Sequence, residues 1–292
     1  MLPVELHTTT NLSFLRGASA PEELIAAAAA LGHDALGITD HATVAALPAA
    51  HVAARAAGIR LIPGVRLDPT DFPPLLLYPT DRAAYARLTA LLTAGKRRAG
   101  KGGCALGFAE IAAAAEGQIA ILLADPPSAA ALAALRDAFP DRAHLALTPS
   151  LRPGEAVRLE RLARAAAAAA IPIVATGDAR YHAPDRRILA DVLTCIREHC
   201  TIETAGARLE PGGMHLLRAP EETARLLARY PEALARTRAI ADACRFSLDA
   251  LAYQYPDETE SPGETPQATL ERLTWAGAAR RYGEAIPPEV AA

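Results

Sequence analysis

Hydrophobic and polar positions alternate in blocks along this chain. Seven short apolar runs, 4–9, 35–39, 60–67, 75–78, 118–123, 144–148 and 171–176, end at or near a polar residue, and alanine-rich stretches fill most of the gaps between them. Runs this short and this uniformly apolar read as parallel strands buried on both faces. Helix signals fall where the pattern wants them. Ser19 ahead of Pro21, Glu22 and Glu23 offers a cap, a first-turn proline and early acids, and Gly32 stands at the stop position. Thr80-Asp81, Ser128 and Pro153-Gly154-Glu155 open further helices.

Strict β-then-α alternation predicts an α/β protein, and seven such units predict a distorted seven-stranded βα barrel. The rival is a doubly wound open sheet, but the first run lacks the glycine-rich phosphate loop of that fold. After Pro184 the rhythm changes. Residues 185–199 read as an amphipathic helix, 201–218 as a glycine-interrupted loop, and 220–245 as one or two helices broken at Tyr230-Pro231. From Leu251 the chain turns polar and extended before a last helix, 268–282, which carries the sole tryptophan, Trp275. The expected division is therefore a barrel domain at 1–250 and a helical and extended appendage at 251–292.

Composition narrows the function. The 292 residues are 51% hydrophobic and 22% charged with a formal net charge of −3, which argues against a broad nucleic-acid-binding face but leaves room for a local one. The one basic cluster, Lys96, Arg97, Arg98 and Lys101 around Ala99-Gly100, reads as a loop that is either a solvated turn or a contact to nucleic-acid phosphates. Cys104, Cys195, Cys200 and Cys244 show no paired spacing and read as reduced thiols, with Cys195 and Cys200 unrelated to each other. No signal peptide and no membrane span are legible, so a cytoplasmic protein is expected.

The chemistry sits at the ends of the apolar runs. His7 closes the first, Asp40-His41 the second and Asp178 the last, and a βα barrel gathers such tips at one face. Two other tips carry Arg66 and Arg180. Guanidinium is permanently charged and has no lone pair, so it cancels a metal site where it replaces a ligand. The stretches Leu6-His7-Thr8-Thr9-Thr10 through Arg16-Gly17, Gly37-Ile38-Thr39-Asp40-His41 and Val174-Ala175-Thr176-Gly177-Asp178 resemble the PHP (polymerase and histidinol phosphatase) family. Tyr181-His182-Ala183-Pro184-Asp185, Asp191 to Arg197, Tyr230 to Leu234, Phe246 to Asp249 and Tyr253 to Pro256 extend the likeness toward the PHP region of error-prone, polymerase III alpha-type DNA polymerases.

That resemblance implies a metal site at strand ends, with His7, His41 and Asp178 at residual ligand positions. It also implies cancellation, because Thr9 stands for the second histidine of a His-x-His, Arg16 for an acid, Arg66 for an acid and Arg180 for the last histidine. Asp125 and His182 are candidate substitutes. Either Arg66 or Arg180 plugs the site by pairing with Asp178 or Asp40, or one metal survives on His7, His41 and Asp178. Nearby guanidiniums oppose the second option by roughly 4 kcal/mol per unit-charge pair at 4 Å in a medium of effective dielectric near 20. The remaining histidines, including His33, His51, His144, His199 and His215, show no ligand spacing. The implied function is a catalytically degenerate scaffold for a polymerase core expected beyond residue 292. No cofactor is expected in this stretch, and Mg2+ belongs to that core. Implied partners are the core, DNA through the parent enzyme, mutagenesis accessory proteins and the sliding clamp, with no membrane. The alternative is a free-standing metal-dependent PHP phosphoesterase.

Overall fold

The computed structural model describes residues 2–209, 213–252, 259, 263–283 and 285–291. Its strands are β1 (Ala35–Ile38), β2 (Arg60–Pro63), β3 (Val65–Leu67), β4 (Leu75–Pro79), β5 (Gln118–Leu122), β6 (Ala143–Leu147) and β7 (Ile173–Ala175). The helices are α1 (Pro21–Ala30), α2 (Leu47–Ala57), α3 (Arg82–Arg98), α4 (Phe108–Ala113), α5 (Ala129–Ala138), α6 (Glu155–Ala168), α7 (Arg186–Arg197), α8 (Ile202–Ala205), α9 (Pro220–Leu226), α10 (Pro231–Ala243), α11 (Pro266–Tyr282) and α12 (Pro288–Ala291).

Among the described residues the strands form a parallel pair, β1–β2, and a five-stranded sheet in the order β3-β4-β5-β6-β7. The fold is mixed α/β, and the expected single ring of seven strands is not what the ladders assign. Three departures account for this. The predicted strand at 4–9 divides its hydrogen bonds between two neighbours. Glu5 O accepts from Gly37 N and Thr8 O from Thr39 N, while Thr9 N donates to Ala179 O and Ala179 N to His7 O, each at 2.8 Å. Only isolated parallel bridges, Glu5 with Leu36 and Thr8 with Ala179, result. The predicted strand at 60–67 breaks at Gly64, where the chain passes from one sheet to the other. A Cβ there would lie 2.6 Å from the Tyr78 ring, so only glycine lets the backbone pass. Finally, β4 runs antiparallel to both β3 and β5, not parallel as expected.

Side-chain alternation on the sheet sorts residues into two cores. Leu75, Leu77, Leu122, Leu145 and Leu147 pack with Leu88, Leu132, Leu135, Leu159 and Leu162 of the covering helices. Their sequence neighbours Leu76, Tyr78, Ile119, Ile121, Ala146 and Val174 join Val4, Leu6 and Ile62 in a second cluster, which Ile240 and Cys244 close. Both faces are buried, and that is why these strands read as unbroken apolar runs.

Helix starts follow the capping signals in part. Asp81 accepts from Ala84 N at 2.8 Å and Ser128 from Ala131 N at 3.1 Å. Ser19 does not cap α1. Ala20 takes that position, its N–H held by Glu23, while the Ser19 hydroxyl meets His182 Nδ1 at 2.8 Å. Of the basic cluster expected in a loop, Lys101 lies in the turn that follows α3, whereas Lys96, Arg97 and Arg98 form the last turn of α3, where they complement the negative end of the helix dipole. Residues 201–218, expected to be a loop, contain the short α8 and a 3-10 turn, Gly206–Arg208. The chain divides into two compact units, Met1–Ala250 and Leu251–Ala292. In the second, Trp275 is half exposed. Tyr253 and Tyr255 lie outside the described residues, as does part of 257–265. No helix among the described residues is long and apolar enough to cross a membrane.

Candidate functional site

Asp178 is the centre of the arrangement. It follows β7 in a loop whose backbone is left-handed at Asp178 (φ 50°), a conformation short polar side chains tolerate best. Its carboxylate faces three cationic or imidazole groups. Arg180 Nη2 donates to Oδ2 at 2.7 Å, His7 Nε2 lies 3.4 Å from Oδ1, and His215 Nδ1 lies 3.3 Å from Oδ2 while donating to the Asp178 carbonyl at 2.9 Å. Burial alone would raise the Asp178 pKa. Arg180, His7 and His215 together outweigh it and hold the carboxyl well below its usual range. Burial pushes the His7 imidazole down to about 3, against the pull of Asp178 and with help from Arg66 and Arg180. His7 is thus neutral, and both of its buried ring nitrogens lack a hydrogen-bond partner, as does His215 Nε2.

Glu5 fixes this centre from behind. The N-terminal segment places it two residues before His7, and its Oε1 accepts from His7 N at 2.7 Å and Gly177 N at 3.0 Å. Burial raises its pKa to about 7, partly opposed by those two N–H bonds. A Cβ on Gly177 would sit 2.2 Å from Glu5 Oε2, so the turn before Asp178 depends on glycine.

His41 and Arg66 hydrogen-bond to Asp68 and not to Asp178, although Arg66 lines the same cavity as Asp178. His41 Nδ1 donates to Asp68 Oδ2 at 2.9 Å and Arg66 Nε to Asp68 Oδ1 at 3.1 Å. Burial lowers the His41 pKa to about 4, against the Asp68 hydrogen bond. Asp68 stays below the usual carboxylate range, because His41 and Arg66 outweigh the effect of burial. Among the described residues Asp40 pairs with no cation. It accepts from Thr10 N, Thr10 Oγ1 and Ser13 Oγ at 2.6–2.8 Å, and burial raises its pKa despite those bonds. Of the expected pairings, Arg180 on Asp178 forms, while His41 hydrogen-bonds to Asp68 and acts on His7 only through its charge.

The Asp178 centre opens into a cavity of about 330 Å³ lined by His7, Arg66, Asp125, Arg158, Arg180 and His215 among others. Thr9 is fully buried with its hydroxyl unpartnered, and Arg16 is absent from this cavity, lining a separate one with His41. Asp125 is held by Arg158 at 2.6 Å and Arg161 at 3.1 Å, and His182 turns to Ser19, so neither substitutes as a ligand beside Asp178. Lys96 and Lys101 line Arg16's cavity, and Arg98 pairs with Glu110 at 2.6 Å. Cys195 and Cys200, expected to be unrelated, are neighbours: Cys200 N donates to Cys195 O, and the two thiols interact.

The donor set does not fit a metal. A guanidinium at 2.7 Å occupies the open side of Asp178, and no group of three or more His, Cys, Asp or Glu among the described residues is placed to hold an ion. Three contributors escaped the sequence reading. Asp68 stands two residues after Arg66, just past the end of β3, a spacing signal that was available. Glu5 has the same spacing from His7. His215 comes from a distant loop tethered by Arg218, whose Nη2 donates to Met214 O at 2.7 Å, and nothing local marks it.

The PHP domain model matches residues 5–147. The chain is 48% identical over 289 residues to error-prone DNA polymerase 1 of Agrobacterium fabrum, covering 98% of this chain and 26% of that protein. It is 43% identical to the error-prone DNA polymerase of Caulobacter vibrioides, covering 99% and 27% respectively. The chain therefore spans about a quarter of the length of the curated relatives it matches. Among solved structures, an amidohydrolase from Chromobacterium violaceum overlaps at 16% identity with a TM-score of 0.44, over 78% of this chain and 96% of that one.

Proposed function

The chain carries a PHP domain over residues 5–147 and is homologous along nearly its whole length to error-prone DNA polymerases, and from that premise we propose that it is the PHP portion of such a polymerase, catalytically degenerate and structural in role. The observation that carries the second half is the Arg180–Asp178 pair. A permanently protonated guanidinium supplies the positive charge that a metal would bring, without its Lewis acidity or its bound water. Admitting an ion would have to separate the largely buried Asp178 carboxylate from the guanidinium it is bonded to, which is costly.

We read the two sheets as one distorted barrel. The segment at 4–9 bridges β1 on one side and the chain after β7 on the other, and His41 bridges Arg66 between the β1 end and β3. The second core cluster then fills its interior. In this reading residues 1–250 are the barrel and 251–292 lead toward a polymerase core that binds Mg2+ and DNA. That core, mutagenesis accessory proteins and the sliding clamp are its cytoplasmic partners. Elemental analysis of chain purified without chelator should find fewer than two equivalents of zinc, manganese or iron. Phosphate release from a phosphomonoester, or removal of a mismatched 3′ nucleotide, should stay at background with manganese added. Turnover that His7→Ala abolishes would overturn the degenerate reading.

A further inference from the structure

A second cavity, about 580 Å³, lies between the turn at 11–17, the end of α3 and α7, and its chemistry differs from that of the Asp178 centre. Four cations line it from three separate parts of the chain: Arg16, Lys96, Lys101 and Arg197. Among the described residues no carboxylate does, although Glu198 pairs with Arg197 Nε at 3.1 Å and Asp68 acts on Arg16. In a chain of net charge −3, this is a local concentration of positive charge. Lys101 stands beside Gly100, Gly102 and Gly103, where a ligand's backbone can approach closely.

An aromatic ring completes the surface. Phe14 lines the same cavity and is 83% exposed, an unusual state for phenylalanine. The loop holding it is rigidly built. Ser13 Oγ donates to Asp40 at 2.6 Å and accepts from His41 N at 2.9 Å, and Arg197 Nη1 donates to Leu15 O at 2.7 Å. Leu15 adopts a left-handed backbone (φ 60°), which costs energy for a residue with a Cβ. A Cβ on Gly17 would lie 2.1 Å from Thr10 O, so the turn closes too tightly for any other residue. The chain thus accepts local strain to hold a bare phenyl face beside four cations. Strain of this kind concentrates where a ligand is met.

We propose that this groove binds single-stranded nucleic acid, the cations neutralising successive phosphates and Phe14 stacking on an unpaired base. A duplex keeps its bases stacked within the helix and offers Phe14 nothing, so the aromatic selects single strands. An acidic protein surface would satisfy the cations equally well and is the competing partner. The proposal stands on this groove alone and does not depend on the reading of the Asp178 centre.

The test is fluorescence anisotropy of a labelled oligo(dT) twelve-mer titrated with the 292-residue chain at several salt concentrations. Four neutralised phosphates predict log K falling with log salt at a slope near −3, at about 0.7 per phosphate for single strands. Lys101→Gln and Arg16→Gln should each make that slope shallower by about 0.7. Phe14→Ala should weaken binding about tenfold at every salt concentration with the slope unchanged, the signature of one lost base stack. All three side chains are exposed, so the melting curves of the variants should match the parent's. Absence of saturable binding at low salt would overturn the proposal. So would affinity for duplex equal to that for single strands, or binding that Phe14→Ala leaves intact while polyglutamate displaces the oligonucleotide, which would point to an acidic protein partner.

Discussion

Replacing Glu5 with glutamine should make the protein more stable in mild alkali. Glu5 is 7% exposed, and its Oε1 accepts two backbone N–H groups, from His7 and Gly177. Burial raises its pKa from 4.5 to about 7. The sign follows from the raised value. The folded state holds the proton more tightly than the unfolded chain, so the stabilising contribution is complete below 4.5 and is lost as pH rises through 7. Linkage between those two values puts the loss from pH 5 to pH 8 at about 2–3 kcal/mol. Glutamine keeps an oxygen for both N–H groups and cannot ionise. The difference in unfolding free energy between Glu5→Gln and the parent should therefore grow in the variant's favour by about that amount over that range. With a urea slope near 3 kcal/mol per molar, the gap between midpoints should open by about 1 M. Comparing the two proteins cancels every other titrating group. Parallel curves across the range would mean that Glu5 ionises without penalty, and the account of how the N-terminal segment is anchored beneath Asp178 would fail.

Acid should destabilise the fold through buried imidazoles. His7, His41 and His144 have pKa values lowered by burial to about 3, 4 and 4, so the stability they confer is present above 6.5 and is lost as pH falls toward 4, at up to about 1.4 kcal/mol per unit for each. Urea midpoints at pH 7 and pH 5 check this, and His144→Gln, remote from Asp178, should remove one share of the slope; a flat response would refute it. Gly37→Ala should destabilise by about 3 kcal/mol, because its Cβ would come 2.6 Å from Leu6 O, a backbone atom that cannot turn aside. A thermal melt within a degree or two of the parent's would show that the N-terminal segment yields more easily than its hydrogen bonds imply.

What was legible in the sequence follows what is local. Strands β4 to β7 announced themselves because burial on both faces leaves an uninterrupted apolar run, as in Leu75-Leu76-Leu77. Strand direction is not local, and the run at β4 reads the same either way. The clue lay in the connection. Asp68 to Pro74 is too short for a crossover helix, so β3 and β4 had to be antiparallel. The division of 60–67 turned on Gly64, whose role depends on the Tyr78 ring crossing it from a strand later in the chain.

The site shows the same boundary between local and distant information. His7, Asp178 and Arg180 were readable because each follows an apolar run and their pairing needs only that the first and last runs be neighbours, which the bonds of Thr9 and Ala179 secure. His41 follows its run in the same way, yet the sheet delivers Asp68 within 2.9 Å of it, and a hydrogen-bonded carboxylate outside the centre holds the ring there. Arg16 likewise reads as a lost ligand by position alone, whereas in the folded chain it stands with Lys96, Lys101 and Arg197 around Phe14. The arginine that the PHP likeness sets where an acid is expected adds a cation to a groove. That addition could not be inferred from the ligand pattern, because that pattern records only what a metal would have needed. The charge left behind at Arg16 is put to use only where α3 and α7 bring their own cations to meet it.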